Sequence, residues 1–180
     1  MPKTKAKSKA KSKAKFKAKF KERPIALRIN GRAVEVTVPP HRTLLEALRD
    51  AGFVDVKRGC EKGDCGACAV LLDGVAIDSC LTLAWTVEGR EIVTAAGLGS
   101  HEAMHPLQRT FVERGAVQCG YCTPGLIVAA QSLITMTPNP SEEDVRLGLS
   151  GNLCRCTGYA KVFDAVRDAA TEMHSSRGRP

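Results

Sequence analysis

The chain has 180 residues, 43% of them apolar, and a formal net charge of +8, which is long enough for one domain or two small ones with a real core. No run of eighteen apolar residues occurs, and no stretch joins a charged start, an apolar centre and a small-residue cleavage site, so neither a membrane span nor a secretory signal is expected. Eight cysteines in such a chain point to a reducing compartment, taken as the cytoplasm, where clustered thiols bind metal more often than they form disulfides.

The positive charge is concentrated at one end. Residues 1–23 hold ten lysines, at every odd position from Lys3 to Lys21, plus Arg23 against the single acid Glu22, a balance of +10. The other 16 basic and 18 acidic residues sum to −2, so the body is nearly neutral. This alternation of Lys with Ala, Ser, Thr and Phe has too little apolar surface to offset its conformational entropy, and it reads as a disordered tail able to meet an acidic surface. Fold reasoning starts at Pro24.

From there, "PIALRINGRAVEVTVPP" reads as two strands turning at Asn30-Gly31. "TLLEALRDAG" is a helix, with Thr43 and Glu46 as a capping box, Leu44, Leu45 and Leu48 as its apolar stripe and Gly52 as its stop. A glycine-rich stretch, "KRGCEKGDCGACAV", leads into a second hairpin, "AVLLDGVAI", turning at Asp73-Gly74, and "REIVTAAG" is read as a last strand. Strands with one crossing helix in so short a span predict a small α+β domain over 24–97. After about Gly97 the period becomes helical: "HPLQRTFVERG", "TPGLIVAAQSLITM", "SEEDVRLGLSG" and "YAKVFDAVRDAATEM" predict a four-helix domain over 98–174. Pro124 suits a first turn, and Ser141 with Asp144 caps the third helix.

Each half carries four cysteines. Cys60, Cys65, Cys68 and Cys80 have the spacing C-x4-C-x2-C followed by a distant fourth, the plant-type ferredoxin pattern for a [2Fe–2S] cluster. A loop wrapped round so small a unit needs close backbone approach, which Gly59, Gly63 and Gly66 would permit. Structural zinc also takes four thiolates, but it usually pairs two C-x-x-C-like knuckles, and only one is present here. In the second half, Cys119-x2-Cys122 opens one helical segment and Cys154-x-Cys156 opens another, so the two pairs can meet at one end of a bundle. On spacing alone zinc rivals iron–sulfur at this second site; a redox centre beside the first would make a relay.

With "GCEKGDCGACAV", "HPLQ", "VQCGYCTPG" and "SGNLCRCTGY" in that order, residues 24–170 resemble the small iron–sulfur subunit of the molybdenum hydroxylases, the xanthine oxidase family. The group includes aldehyde oxidoreductases, aerobic carbon monoxide dehydrogenase and hydroxybenzoyl-CoA reductase. The resemblance implies a β-grasp ferredoxin-like domain followed by an all-α four-helix domain, each with one [2Fe–2S] cluster. It implies a large molybdopterin-binding partner, a medium FAD-binding partner, and a heterotrimer or dimer of heterotrimers. It also implies that Gln118 and Cys156 approach the pterin, and that the ferredoxin-type cluster faces FAD or another acceptor. Such complexes can also be exported folded on another subunit's signal.

The remaining polar residues read plainly. His41, His101, His105 and His174 share no ligand spacing, and no Ser–His–Asp set, paired-carboxylate site or phosphate loop is present. Trp85 reads as core or as packing near the first cluster. Arg155 either offsets cluster charge or faces solvent, and Gly120, Gly125, Gly151 and Gly158 would permit tight backbone round the second cluster. Two functions follow: an electron-transfer subunit of an oxidoreductase with no substrate site of its own, or a stand-alone ferredoxin fused to a zinc-stabilised interaction module.

Overall fold

The computed structural model describes residues 21–177; the disorder expected of the lysine-rich tail falls, except at its last three residues, outside them. Strand β1 (Arg23–Ile29) begins one residue before the expected start, and its inward residues Ile25, Leu27 and Ile29 are fully buried. It turns through Asn30 and Gly31, both in the left-handed region at φ 52° and 75°, into antiparallel β2 (Arg32–Val38). Positive φ at both central residues is the hairpin geometry that an Asn-Gly pair favours.

Helix α1 (Leu44–Asp50) has the predicted reciprocal cap between Thr43 and Glu46, and it buries Leu44, Leu45, Ala47 and Leu48. Strands β3 (Ala69–Leu72) and β4 (Val75–Asp78) form the second hairpin, turning at Asp73 and Gly74. A 3₁₀ turn over Ala84–Val87, not anticipated from the sequence, precedes β5 (Glu91–Val93). The last strand stops there: Thr94 starts the one-turn helix α2 (Ala95–Leu98), and Asn30 bonds both its backbone N–H and its hydroxyl, which turns the chain out of the sheet. The sheet order is β2-β1-β5-β3-β4, with β1 parallel to β5 and the other pairs antiparallel. A mixed five-stranded sheet closed over one helix is the β-grasp arrangement, and its core joins β1 and α1 to Val70, Leu72 and Ile92.

Trp85 packs half-buried against this core, donating to the Val38 carbonyl at 3.0 Å beneath the Arg23 guanidinium. Of the two roles expected for it, core packing is the one seen, at the β1–β2 end.

Four further helices follow: α3 (Pro106–Glu113), α4 (Thr123–Met136), α5 (Glu142–Gly148) and α6 (Ala160–Arg177). Helix α4 is apolar nearly all round, the mark of a helix covered on every side. One face joins Leu107, Phe111, Val145, Val162 and Val166 in the bundle core, while Val128 packs on Ala69 and Leu71 of β3. That is why "AVLL" is a continuous apolar run: β3 is buried on both faces, by its own sheet core and by α4. Ser132 of α4 also accepts the Ala76 N–H at 3.1 Å. His105 has a structural task, its Nδ1 capping α3 by accepting from Leu107 N at 3.3 Å.

Candidate metal centres

The first cysteine loop runs between α1 and β3, and its shape follows from its glycines. Gly63 and Gly66 take φ values of 86° and 62°. Gly59 has an ordinary φ, but a Cβ there would stand 2.7 Å from Cys65 Sγ. The loop turns backbone N–H groups onto sulfur: Asp64 N lies 3.2 Å and Lys62 N 3.5 Å from Cys60 Sγ, and Cys60 N lies 3.4 Å from Cys65 Sγ. The Lys62 N–H foremost, with the Cys65 thiol and the Asp64 N–H, outweighs burial and brings the Cys60 thiol down to about 7, which favours the thiolate that a metal needs. On the inner side Cys68 and Cys80 are buried free thiols hydrogen-bonded to each other, and burial pushes the Cys68 thiol up to about 12. A bound cation reverses that penalty, because a coordinated thiol is deprotonated.

The second set lies at the two helix starts foreseen from the sequence. Cys122 is the N-terminal cap residue of α4, and the loop 154–159 leads straight into α6. Cys119 and Cys156 lie 3.6 Å apart on the exposed side, while the free thiols of Cys122 and Cys154 are hydrogen-bonded to each other further in. Burial pushes the Cys122 thiol up to about 12. For Cys154 burial also pushes upward, but the Thr157 hydroxyl at 3.1 Å and the Thr157 N–H at 3.4 Å outweigh it and bring the thiol to about 7. Among the described residues no three His, Cys, Asp or Glu side chains are gathered for a single metal ion. The thiols stand in pairs, a spacing that fits two irons taking two thiolates each, and the N–H donors aimed at sulfur suit that group.

The two loops lie back to back. Leu153 N, next to Cys154, donates to the Cys65 carbonyl at 3.0 Å. The buried Asn152 side chain donates to the Gly66 carbonyl at 3.0 Å, and the Tyr121 hydroxyl donates to the Arg58 carbonyl. Gly125, in the first turn of α4, has the Gly66 carbonyl oxygen 2.3 Å from where a Cβ would stand, so only glycine fits. Gly120 and Gly158 take positive φ as the tight backbone requires, but Gly151 does not, and nothing lies within 4 Å of a Cβ placed on it. Its expected role in the loop is therefore absent.

Gln118 is exposed beside the exposed Cys119, and Arg155 is exposed between Cys154 and Cys156. Asn152, Thr157 and Tyr159, not anticipated from the sequence, hold the C-x-C loop. A Thr directly after the second cysteine is a signal for a side-chain-to-backbone turn and could have been found. The Asn152 and Tyr159 contacts span the fold and could not.

Residues 27–96 match the 2Fe-2S iron-sulfur cluster binding domain family, and residues 94–167 match the [2Fe-2S] binding domain family. The chain is 44% identical over 146 residues to the nicotinate dehydrogenase small FeS subunit of Eubacterium barkeri, covering 81% of this chain and 93% of that one. The solved structure of quinoline 2-oxidoreductase from Pseudomonas putida superposes with a TM-score of 0.82 at 42% identity, covering 89% of this chain and 99% of the matched chain. Aldehyde oxidoreductase from Desulfovibrio desulfuricans superposes with a TM-score of 0.81 at 42% identity, over 84% of this chain but only 17% of that one. In the last case the same module is a small part of a much longer polypeptide.

Proposed function

This chain belongs to the family of small iron–sulfur subunits of the molybdenum hydroxylases, and from that premise we propose a specific division of labour among its residues. Each [2Fe–2S] centre, when bound, takes up and gives up one electron at a time, which suits a relay between a two-electron oxidation and its acceptor. Cys60, Cys65, Cys68 and Cys80 hold one centre in a domain spanning 24–97. Cys119, Cys122, Cys154 and Cys156 hold the other in a domain spanning 98–174. The observation that carries this reading is the backbone contact between the loops, Leu153 N to the Cys65 carbonyl, which links a residue of one thiol set to the neighbour of a residue of the other through a single hydrogen bond.

The exposed face formed by Gln118, Cys119 and Cys156 is the side that meets a large subunit, where Gln118 and Cys156 approach the molybdopterin. The joining of this module to a far longer chain in the aldehyde oxidoreductase supports a large partner here. The loop at 60–65 then faces a medium FAD-binding subunit or another acceptor, in a heterotrimer or a dimer of heterotrimers. Substrate chemistry belongs to the large partner, and this chain holds and orients the relay. The stand-alone ferredoxin with a zinc module is not favoured, since the chain's relatives are oxidoreductase subunits over nearly their whole length.

Isolation of the tagged full chain from its native host tests the partner reading. We expect a large chain to co-purify with about four irons per molybdenum, from two [2Fe–2S] centres. Recovery of the iron-loaded chain alone, without molybdenum, would overturn it.

A further inference from the structure

Tyr159 is the one aromatic residue among the described residues with a left-handed backbone, at φ 69°, and it follows Gly158 at φ 65°. A bulky residue in that region is strained, and such a conformation persists only where its surroundings over-determine it. The surroundings do so. The Tyr159 hydroxyl accepts the Cys154 N–H at 2.7 Å and donates to the Asn152 carbonyl at 3.0 Å. Its N–H donates to Thr157 Oγ1 at 3.3 Å, and its ring stacks on Phe163, one turn into α6, with centroids 5.8 Å apart.

Asn152 and Leu153 lie directly on the first loop, and the phenol ties Cys154 to them. Asn152 is fixed at its side chain by the Gly66 carbonyl, Leu153 at its N–H by the Cys65 carbonyl, and the Asn152 carbonyl and Cys154 N–H by one phenol oxygen. Amide N–H groups near a cluster set its reduction potential by the hydrogen bonds they give to sulfur. Here the Cys154 amide is withheld from sulfur by the phenol, and Thr157 supplies the donors to Cys154 Sγ.

We infer that Tyr159 is a positioning residue whose phenol oxygen holds the Cys154 amide away from the cluster sulfurs, setting the potential of the second centre independently of the first. The inference rests on the two-cluster reading, and the first centre serves as the internal control.

The test is an EPR-monitored redox titration of the iron-loaded full chain carrying Tyr159→Phe, which keeps the ring and loses both hydroxyl contacts. The expected result is a change of about threefold to tenfold in the reduced-to-oxidised ratio of the second centre at fixed potential, the first titrating as in wild type; tenfold is about 59 mV for one electron. Unchanged titration of both centres, or equal movement of both, overturns the inference. If Tyr159→Phe does not retain the second centre, 3-fluorotyrosine placed at position 159 keeps the fold while weakening the phenol as an acceptor. A selective shift of the second centre then supports the inference, and no shift overturns it. A wild-type chain lacking two iron–sulfur signals fails the two-cluster reading itself, which is a separate outcome.

Discussion

Replacing Gly125 by alanine tests whether the two halves are packed loop on loop. In an isolated helix the change would stabilise by up to about 1 kcal/mol through propensity. Here the new Cβ would stand 2.3 Å from the Gly66 carbonyl oxygen and 3.2 Å from Ala67 Cα, against the roughly 3.5 Å at which heavy atoms sit comfortably. Both neighbours are backbone, so no rotamer change relieves the clash, and α4 or the first cysteine loop must move by about 1 Å. Overpacking of this kind costs about 1–3 kcal/mol. Straining the hydrogen bond that Asn152 gives to the same carbonyl adds about 1 kcal/mol. Against the propensity gain, the net expectation is a loss of about 1–3 kcal/mol, or a fall in Tm of about 2–12 °C for a chain of this size. The assay is a thermal melt of the iron-loaded chain at one scan rate, with Gly151→Ala as the control. Open space surrounds a Cβ at Gly151, so that variant should stay within about 0.5 kcal/mol. A Gly125→Ala protein melting at or above wild type, with both iron signals intact, would refute the packing argument.

Three further outcomes are expected. Cys65→Ser should abolish the ferredoxin-type EPR signal and spare the other, because the Cys65 contact with the second loop is made by its backbone carbonyl; loss of both signals would contradict separate sites. Gln118→Ala should leave iron content unchanged and slow electron entry in the assembled enzyme, and an unchanged turnover rate would remove Gln118 from the partner-facing side. The Glu46 carboxyl is held below the ordinary glutamate range, first by the Thr43 N–H, so its contribution is full above the unfolded value near pH 4.3 and fades as pH falls through the lower folded value. Glu46→Gln, which removes the negative charge from the first turn, should therefore destabilise by about 0.3–1 kcal/mol at pH 7 and by nothing well below pH 4; an equal deficit at both pH values would disprove the charge's role.

The parts of this molecule legible in its sequence are those set by local chemistry. Asn30-Gly31 and Asp73-Gly74 announce hairpins because positive φ is needed at both positions, and Thr43 with Glu46 announces a helix start because each satisfies the other's backbone donor. The cysteine spacings carried the candidate centres for the same reason. Position across the fold was not legible: that Gly125 is glycine because Gly66 lies against it, or that Asn152 reaches 86 residues back along the chain, depends on how the halves meet. "REIVTAAG" reads as strand throughout, yet it turns into helix after Val93, where Asn30, 64 residues away, bonds the N–H and the hydroxyl of Thr94.

The most direct measurement is metal analysis with EPR spin counting on the purified, dithionite-reduced full chain. The account predicts about four irons, no stoichiometric zinc and two distinct signals of about one spin each, from two [2Fe–2S] centres. One signal with about two irons, and zinc making up the second site, would contradict it.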